Sequence, residues 1–227
     1  MSKLNTGYRP LKYNWLLFDA DETLFDFATT ESRALRATIE QAGLPFEPGF
    51  ASMFSHFNQQ VWHELERGEI TRAELRVKRF RLFFDEAHLN GDADTVSLLY
   101  LQNLALGTDL IEGAEEVIRA LKQNHPLAIV TNGMRQVQRP RIANSSIHDC
   151  FEKIFISEEM GADKPSPAYF DAVYAEIGQP PKETVLIFMP LSPIRRYCIV
   201  ISPLCVARCT FTRLHVVVGR HSNVPTF

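Results

Sequence analysis

No aspartate or glutamate occurs after Glu183: all 27 acidic residues lie in residues 1–183, and the remaining 44 positions hold none. At 27 acids in 227 residues about five would fall there by chance. Charge divides at the same point. Residues 1–183 carry 19 basic against 27 acidic side chains, a net −8, whereas the last 44 carry five arginines and no lysine, a net +5. Other shortages exclude whole classes of protein. No apolar run reaches the roughly 18 residues that span a bilayer, and the opening Met1 to Pro10 is polar, so neither a membrane helix nor a signal peptide is expected and a cytoplasmic location is the default. There are only four cysteines, Cys150, Cys198, Cys205 and Cys209, with no Cys-x-x-Cys, and Cys205 with Cys209 lacks the histidine partners of a zinc site. Unpaired thiols are expected. A net charge of −3 gives no reason to expect a nucleic-acid partner. With 45% hydrophobic and 22% charged residues in 227, the composition is globular and fits one α/β domain with an insertion.

What is present begins with Phe18-Asp19-Ala20-Asp21-Glu22-Thr23-Leu24 after the apolar run Trp15-Leu16-Leu17. Two carboxylates one residue apart stand where a buried strand ends, which is where open α/β sheets do their chemistry. A carboxylate at Asp19 can attack phosphorus to form an aspartyl-phosphate, and one at Asp21 can protonate the leaving oxygen. The same residues also suit a capped helix start. A second apolar run, Pro126 to Val130, ends in Thr131-Asn132-Gly133, where a hydroxyl followed by backbone N–H groups makes an oxyanion cradle, or an ordinary turn. A third, Lys153 to Ser157, leads to Gly161-Ala162-Asp163-Lys164-Pro165-Ser166-Pro167. Lys164 brings a cation to the same edge, and Pro165 and Pro167 stiffen the loop that holds it.

Between the first two runs lie about a hundred residues with helical periodicity. Thr29-Thr30-Glu31 reads as the start of a helix carrying Leu35 and Ile39. Phe50, Phe54, Phe57, Val61 and Leu65 mark a second. Thr71-Arg72-Ala73-Glu74 is a capping box opening a third, and Asp92 to Leu106 supplies a fourth. Their aromatic stripes are expected to form the insertion's own core. Later, Gly113 opens a helix, the helix from Met134 carries Pro140 and either begins late or kinks, and Ala168 to Ile177 forms another. Strands alternating with helices give an α/β fold, a doubly wound parallel sheet with an inserted helical cap.

These motifs together resemble the haloacid dehalogenase superfamily of phosphohydrolases, over Trp15 to Ile187. Within it the segments Leu17 to Phe25, Val130 to Gly133 and Ile156 to Pro165 are most similar to the bacterial pyrimidine 5′-nucleotidases. The resemblance implies Asp19 as nucleophile and metal ligand, Asp21 as general acid and backbone metal ligand, and Thr131, Asn132 and Lys164 as the phosphate-binding groups. It implies a core of residues 11–27 and 108–187, a cap of 28–107 that closes on a small-molecule phosphate monoester, and a non-matching tail of 188–227. It also implies Mg²⁺, held by a Gly-Asp and a further Asp after the strand Thr184 to Ile187. Here Phe188-Met189-Pro190-Leu191-Ser192 follows instead. The Mg²⁺ site is therefore incomplete, with Glu158, Glu159 or Asp163 as substitutes. A phosphatase of nucleoside 5′-monophosphates with impaired activity is expected. The alternatives are an inactive binding module with a basic tail, or a misfolded product of an altered gene end. Residues from about Phe188 are read as frame-shifted or replaced, with a genuine divergent tail as the alternative, leaving an apolar sheet edge after Ile187. Nothing in the sequence speaks to oligomeric state.

Overall fold

The computed structural model describes residues 13–192 and 195–201; expectations placed on Met1 to Pro10 and on 202–227, Cys205 and Cys209 among them, lie outside the described residues. The chain divides into two units, one of residues up to Leu24, Gly113–Asn132 and Asp149 onward, the other of Phe25–Glu112 and Gly133–His148. No helix of the described residues is long and apolar enough to cross a membrane.

The first unit is built on short apolar runs that become strands because burial on both faces suits β-branched and aromatic side chains. These are β1 (Trp15–Phe18), β2 (Leu127–Thr131), β3 (Lys153–Ile156) and β4 (Val185–Ser192), which pair in parallel in the order β3-β2-β1-β4. All five residues of β2 are buried, as a central strand requires. Helices α5 (Ala114–Lys122), α7 (Ser157–Met160) and α8 (Pro167–Glu176) belong to this unit. From α8, Tyr169, Phe170 and Val173 pack on Leu17, Val130 and Ile187 of the sheet. α8 starts where Ser166 accepts the Tyr169 N–H, with Pro167 preset for the first turn.

Two expectations are corrected here. The sheet does not end at Ile187: β4 runs on to Ser192, and β5 (Arg195–Ile201) pairs antiparallel with it from Ile187↔Ile201 to Ser192↔Arg195. The run Ile199-Val200-Ile201 has the β-branched composition of a strand, and the register shifts between Pro190 and Ser192, where a proline lacks the ladder N–H. Ser157, expected to end a strand, instead opens the single turn of α7, closed by Gly161 at φ 69°.

The second unit is helical, with α1 (Phe27–Gln41), α2 (Phe50–Glu66), α3 (Arg72–Glu86), α4 (Ala93–Ala105) and α6 (Arg135–Asn144). Its core is the expected aromatic stripe: Phe54, Phe80, Phe83 and Tyr100 are fully buried and in mutual ring contact. Each such phenylalanine contributes roughly 1.5–3 kcal/mol by leaving water. The capping box forms as expected, Thr71 accepting the Glu74 N–H and Glu74 accepting the Thr71 N–H. α1 begins earlier than Thr29. Asp26 is its cap, accepting both the N–H and the hydroxyl of Thr29, so a side chain three residues upstream sets the boundary. α6 does not begin late: it starts at Arg135 and carries Pro140 inside. Met134 and Val137 in its first turn are held in the aromatic core, and that burial offsets the hydrogen bond Pro140 cannot donate.

Gly107 follows α4 under tight constraint. A Cβ there would lie 2.0 Å from Thr30 Cγ2, while the buried Arg141 donates Nε to its carbonyl at 2.8 Å and lies over the Phe25 ring. Gly107→Ala is therefore expected to destabilise the protein by about 1–3 kcal/mol in urea denaturation, the range for overpacking a core. An unchanged midpoint would mean that α1 and α4 separate more readily than this packing implies.

Candidate active site

The ends of three parallel strands place the site, all within the first unit. Asp19 is the first residue after β1, and its N–H donates to the Phe188 carbonyl of β4 at 2.9 Å, which extends the ladder by one bond. The loop then turns tightly. Ala20 is buried, Glu22 adopts φ 57°, and the Leu24 N–H returns to the Ala20 carbonyl at 2.9 Å. A non-glycine residue in the left-handed region is uncommon and marks a backbone the surroundings hold in place. Asp21, half-buried, lies inside this turn.

Lys164 reaches the same point from the loop after β3. Its Nζ donates to Asp19 Oδ1 at 2.8 Å and to the Val130 carbonyl at 2.8 Å, with the lysine side chain 5% and the aspartate 17% exposed. Asp19 Oδ1 also accepts the Ala20 N–H at 2.8 Å. Burial raises the Asp19 carboxyl above its ordinary range; Lys164 opposes this and the Asp21 charge adds to it. A buried charge of this kind persists only with a partner.

Asn132, directly after β2, does something the sequence did not reveal. Its side-chain oxygen accepts the Lys164 N–H at 2.8 Å and its amide donates to the Lys164 carbonyl at 2.8 Å, so one side chain grips both faces of the Lys164 backbone. Thr131, buried at the strand end, precedes it. Tyr169 was also missed. Fully buried, it donates its hydroxyl to the Phe155 carbonyl at 2.9 Å, and burial with the nearby Asp19 charge pushes its phenol up, so it stays a donor. In the sequence Tyr169 is one more apolar position of an amphipathic helix, with no signal of this role.

The structure thus joins Asp19 to Lys164, and Lys164 to Asn132. It does not assemble a metal cage. Among the described residues no three His, Cys, Asp or Glu side chains gather closely enough to hold a metal ion, and Glu158, Glu159 and Asp163 form no such group with Asp19 and Asp21. Mg²⁺ favours six oxygens near octahedral geometry, and the donors present do not fit it as a carboxylate-held site.

A carboxylate at the carboxyl edge of a parallel sheet, paired with a buried lysine, stands where open α/β sheets place their sites. Residues 13–187 match the haloacid dehalogenase-like hydrolase family, and the chain belongs to it. The match ends at Ile187, and the part of the chain from 188 lies outside it. The chain is 35% identical over 176 residues to the HAD-hydrolase YfnB of Bacillus subtilis, covering 78% of this chain and 75% of that protein. A crystal structure of YfnB bound to magnesium superposes with a TM-score of 0.73, covering 78% of this chain and 77% of that one. Two relatives are pyrimidine 5′-nucleotidases. YjjG of Escherichia coli is 28% identical over 177 residues (78% of this chain, 77% of that protein), and PynA of Streptococcus pneumoniae is 28% identical over 176 (77% and 74%). By lineage the chain is a hydrolase, and its named relatives include enzymes of phosphate monoesters.

Proposed function

We propose that this chain is a phosphatase of nucleoside 5′-monophosphates, pyrimidine ones by analogy with its named relatives, that works through an aspartyl-phosphate on Asp19 and turns over slowly. The observation that carries the reading is the 2.8 Å contact between Lys164 Nζ and Asp19 Oδ1 in a buried setting. Lys164 and the Ala20 N–H both bind Oδ1, which leaves Oδ2 as the attacking oxygen. Oδ2 forms a bond to phosphorus as the bond to the nucleoside oxygen breaks, and Asp21 gives that oxygen its proton. Asp21, now a carboxylate, takes a proton from water; the resulting hydroxide displaces Asp19 from phosphorus and releases inorganic phosphate. The Lys164 ammonium and the Thr131 hydroxyl offset the charge on the phosphoryl oxygens, and Asn132 fixes the lysine backbone so that this charge stays in place. Slow turnover follows from the donor set. With no acidic fourth motif after Ile187, the charge stabilisation that Mg²⁺ would add in this family is weak, and no step above depends on it.

The test is covalent capture. Brief incubation with a radiolabelled aryl phosphate, acid quench and peptide mapping should place an acid-stable, hydroxylamine-labile phosphate on the peptide containing Asp19. Asp19→Asn should abolish both the label and the residual hydrolysis. A label on another residue, or hydrolysis that survives in Asp19→Asn, would refute the mechanism.

A further inference from the structure

Three successive residues at the end of β2 hold the segment that carries Lys164. The Val130 carbonyl accepts the Lys164 Nζ at 2.8 Å, and the Asn132 side chain bonds both the N–H and the carbonyl of Lys164 at 2.8 Å. Between them, the Thr131 backbone hydrogen-bonds the hydroxyl of Tyr169, which itself donates to the Phe155 carbonyl of β3 at 2.9 Å. Val130 pairs with Phe155 and Thr131 with Ile156 in the parallel ladder, so the Tyr169 oxygen lies beside the last rungs of β2 and β3. All of these residues belong to the first unit.

Packing alone does not ask for this hydroxyl. Tyr169 is fully buried, its ring edge to face with Phe170 at 5.3 Å and among Leu17, Val130 and Val173. A phenylalanine would fill the same space without bringing a polar atom into it. The hydroxyl is tolerated because it has partners, and those partners are the backbone of the strand ends that deliver the site. The ring is rooted in the first turn of α8, and that turn is fixed: Ser166 accepts the Tyr169 N–H at 3.3 Å, and Pro167 presets the backbone. A helix start and two strand ends thus meet at one oxygen. Burial and the charge of Asp19 raise the phenol, which keeps it a neutral hydroxyl at neutral pH.

We propose that Tyr169 is a positioning residue of the phosphatase site, its hydroxyl fixing the spacing between the Thr131 hydroxyl and the Lys164 ammonium that together receive the transferring phosphoryl group. The proposal rests on the phosphatase reading above and adds to it the group that sets this spacing. Tyr169 touches neither the substrate nor the reacting atoms. It holds the end of β2 against α8, while Val130 and Asn132 hold Lys164 against that same strand end. A displacement of one ångström among such donors costs up to about 10²-fold in rate, because they act where charge develops.

Tyr169→Phe removes only the oxygen. On the full chain, with an aryl phosphate, kcat and kcat/KM should fall together by about 10- to 10²-fold with KM little changed, the pattern of an interaction lost in the transition state. Inhibition by vanadate, whose five-coordinate form copies the transferring phosphoryl group, should weaken by a similar factor, while inhibition by inorganic phosphate stays as in the parent. A merely structural hydroxyl would lower the urea midpoint and leave kcat per folded molecule and the vanadate-to-phosphate ratio alone; that result overturns the proposal, as does a rise in KM with kcat unchanged. 4-Aminophenylalanine in place of Tyr169 keeps a donor and a lone pair on the same ring, and it should restore most of the loss. If Tyr169→Phe does not fold, this weaker donor decides alone: kcat should lie roughly threefold below the parent at unchanged KM, and a kcat equal to the parent's overturns the proposal. A parent chain that neither hydrolyses the ester nor gains phosphate on Asp19 sinks the phosphatase reading and the proposal with it. Labelling of Asp19 together with an indifferent Tyr169→Phe sinks the proposal alone.

Discussion

Replacing Met189 with aspartate is expected to give the protein a strong response to Mg²⁺. β1 and β4 are parallel and in register through Phe18↔Phe188, and the Asp19 N–H bonds the Phe188 carbonyl at 2.9 Å. Met189 therefore follows Phe188 as Asp19 follows Phe18, and residues at equal register on neighbouring parallel strands share a face of the sheet. A carboxylate there would join Asp19 and Asp21 as the third acid that the described residues do not supply. Mg²⁺ keeps several waters and takes few protein ligands, so one added acid at this position can complete a site that Asp19 and Asp21 do not form by themselves. With the metal bound, the rate of aryl phosphate hydrolysis should rise on the order of 10²- to 10³-fold, the effect of one well-placed electrostatic group at a developing charge. EDTA should return it to the parent rate. Met189→Asn, of the same shape but uncharged, should gain little. Equal rates for Met189→Asp with and without Mg²⁺ would mean that the acidic fourth motif is not what this chain lacks.

That experiment concerns the strand whose sequence is hardest to interpret. Much of the rest was legible because its signals are local. Thr71 and Glu74 predict a cap that forms between those two residues, and Trp15-Leu16-Leu17 predicts a strand whose end delivers Asp19. The aromatic stripes of α2 and α3 predict a core because their spacing alone puts them on one face. Errors of one turn came from competing local signals, as at α1, where Asp26 caps the helix and Thr29 looked as suitable. What the sequence could not show was long-range. Asn132 and Lys164 are 32 residues apart, and nothing in Thr131-Asn132-Gly133 says that the amide will grip the lysine backbone rather than a phosphate. The same holds inside the helical unit, where Arg79 of α3 donates to Asn58 of α2 and Asn58 donates to Glu31 of α1. The pairing of β5 with β4 is a tertiary choice that the run Ile199-Val200-Ile201 permits and does not dictate. Motifs announce residue types at strand ends; the contacts that tune them depend on which strands become neighbours.

Lys164→Met is expected to lower stability by about 3–5 kcal/mol at neutral pH, the range for breaking a buried ion pair by removing one partner. Both members are largely shielded, the lysine side chain at 5% and the aspartate at 17% exposed, so solvent offers the stranded carboxylate little relief. The sign of the pH dependence follows from Asp19. Burial already raises its carboxyl above the ordinary value of 3.8, and Lys164 is the chief influence opposing that rise. Without the lysine the folded-state value climbs further. A carboxyl whose folded pKa exceeds its unfolded one contributes stability that is fully present below the unfolded value and is lost as pH rises through the folded one. The deficit of Lys164→Met should accordingly be small near pH 3.5 and grow toward pH 7, read from urea midpoints at a series of pH values. Asp19→Asn in the same background removes the charge that was stranded, so the double variant should recover most of the loss at pH 7, a coupling that a double-mutant cycle measures directly. A Lys164→Met deficit that is flat with pH, or that Asp19→Asn fails to relieve, would show that Lys164 stabilises the sheet through its bond to the Val130 carbonyl rather than through Asp19.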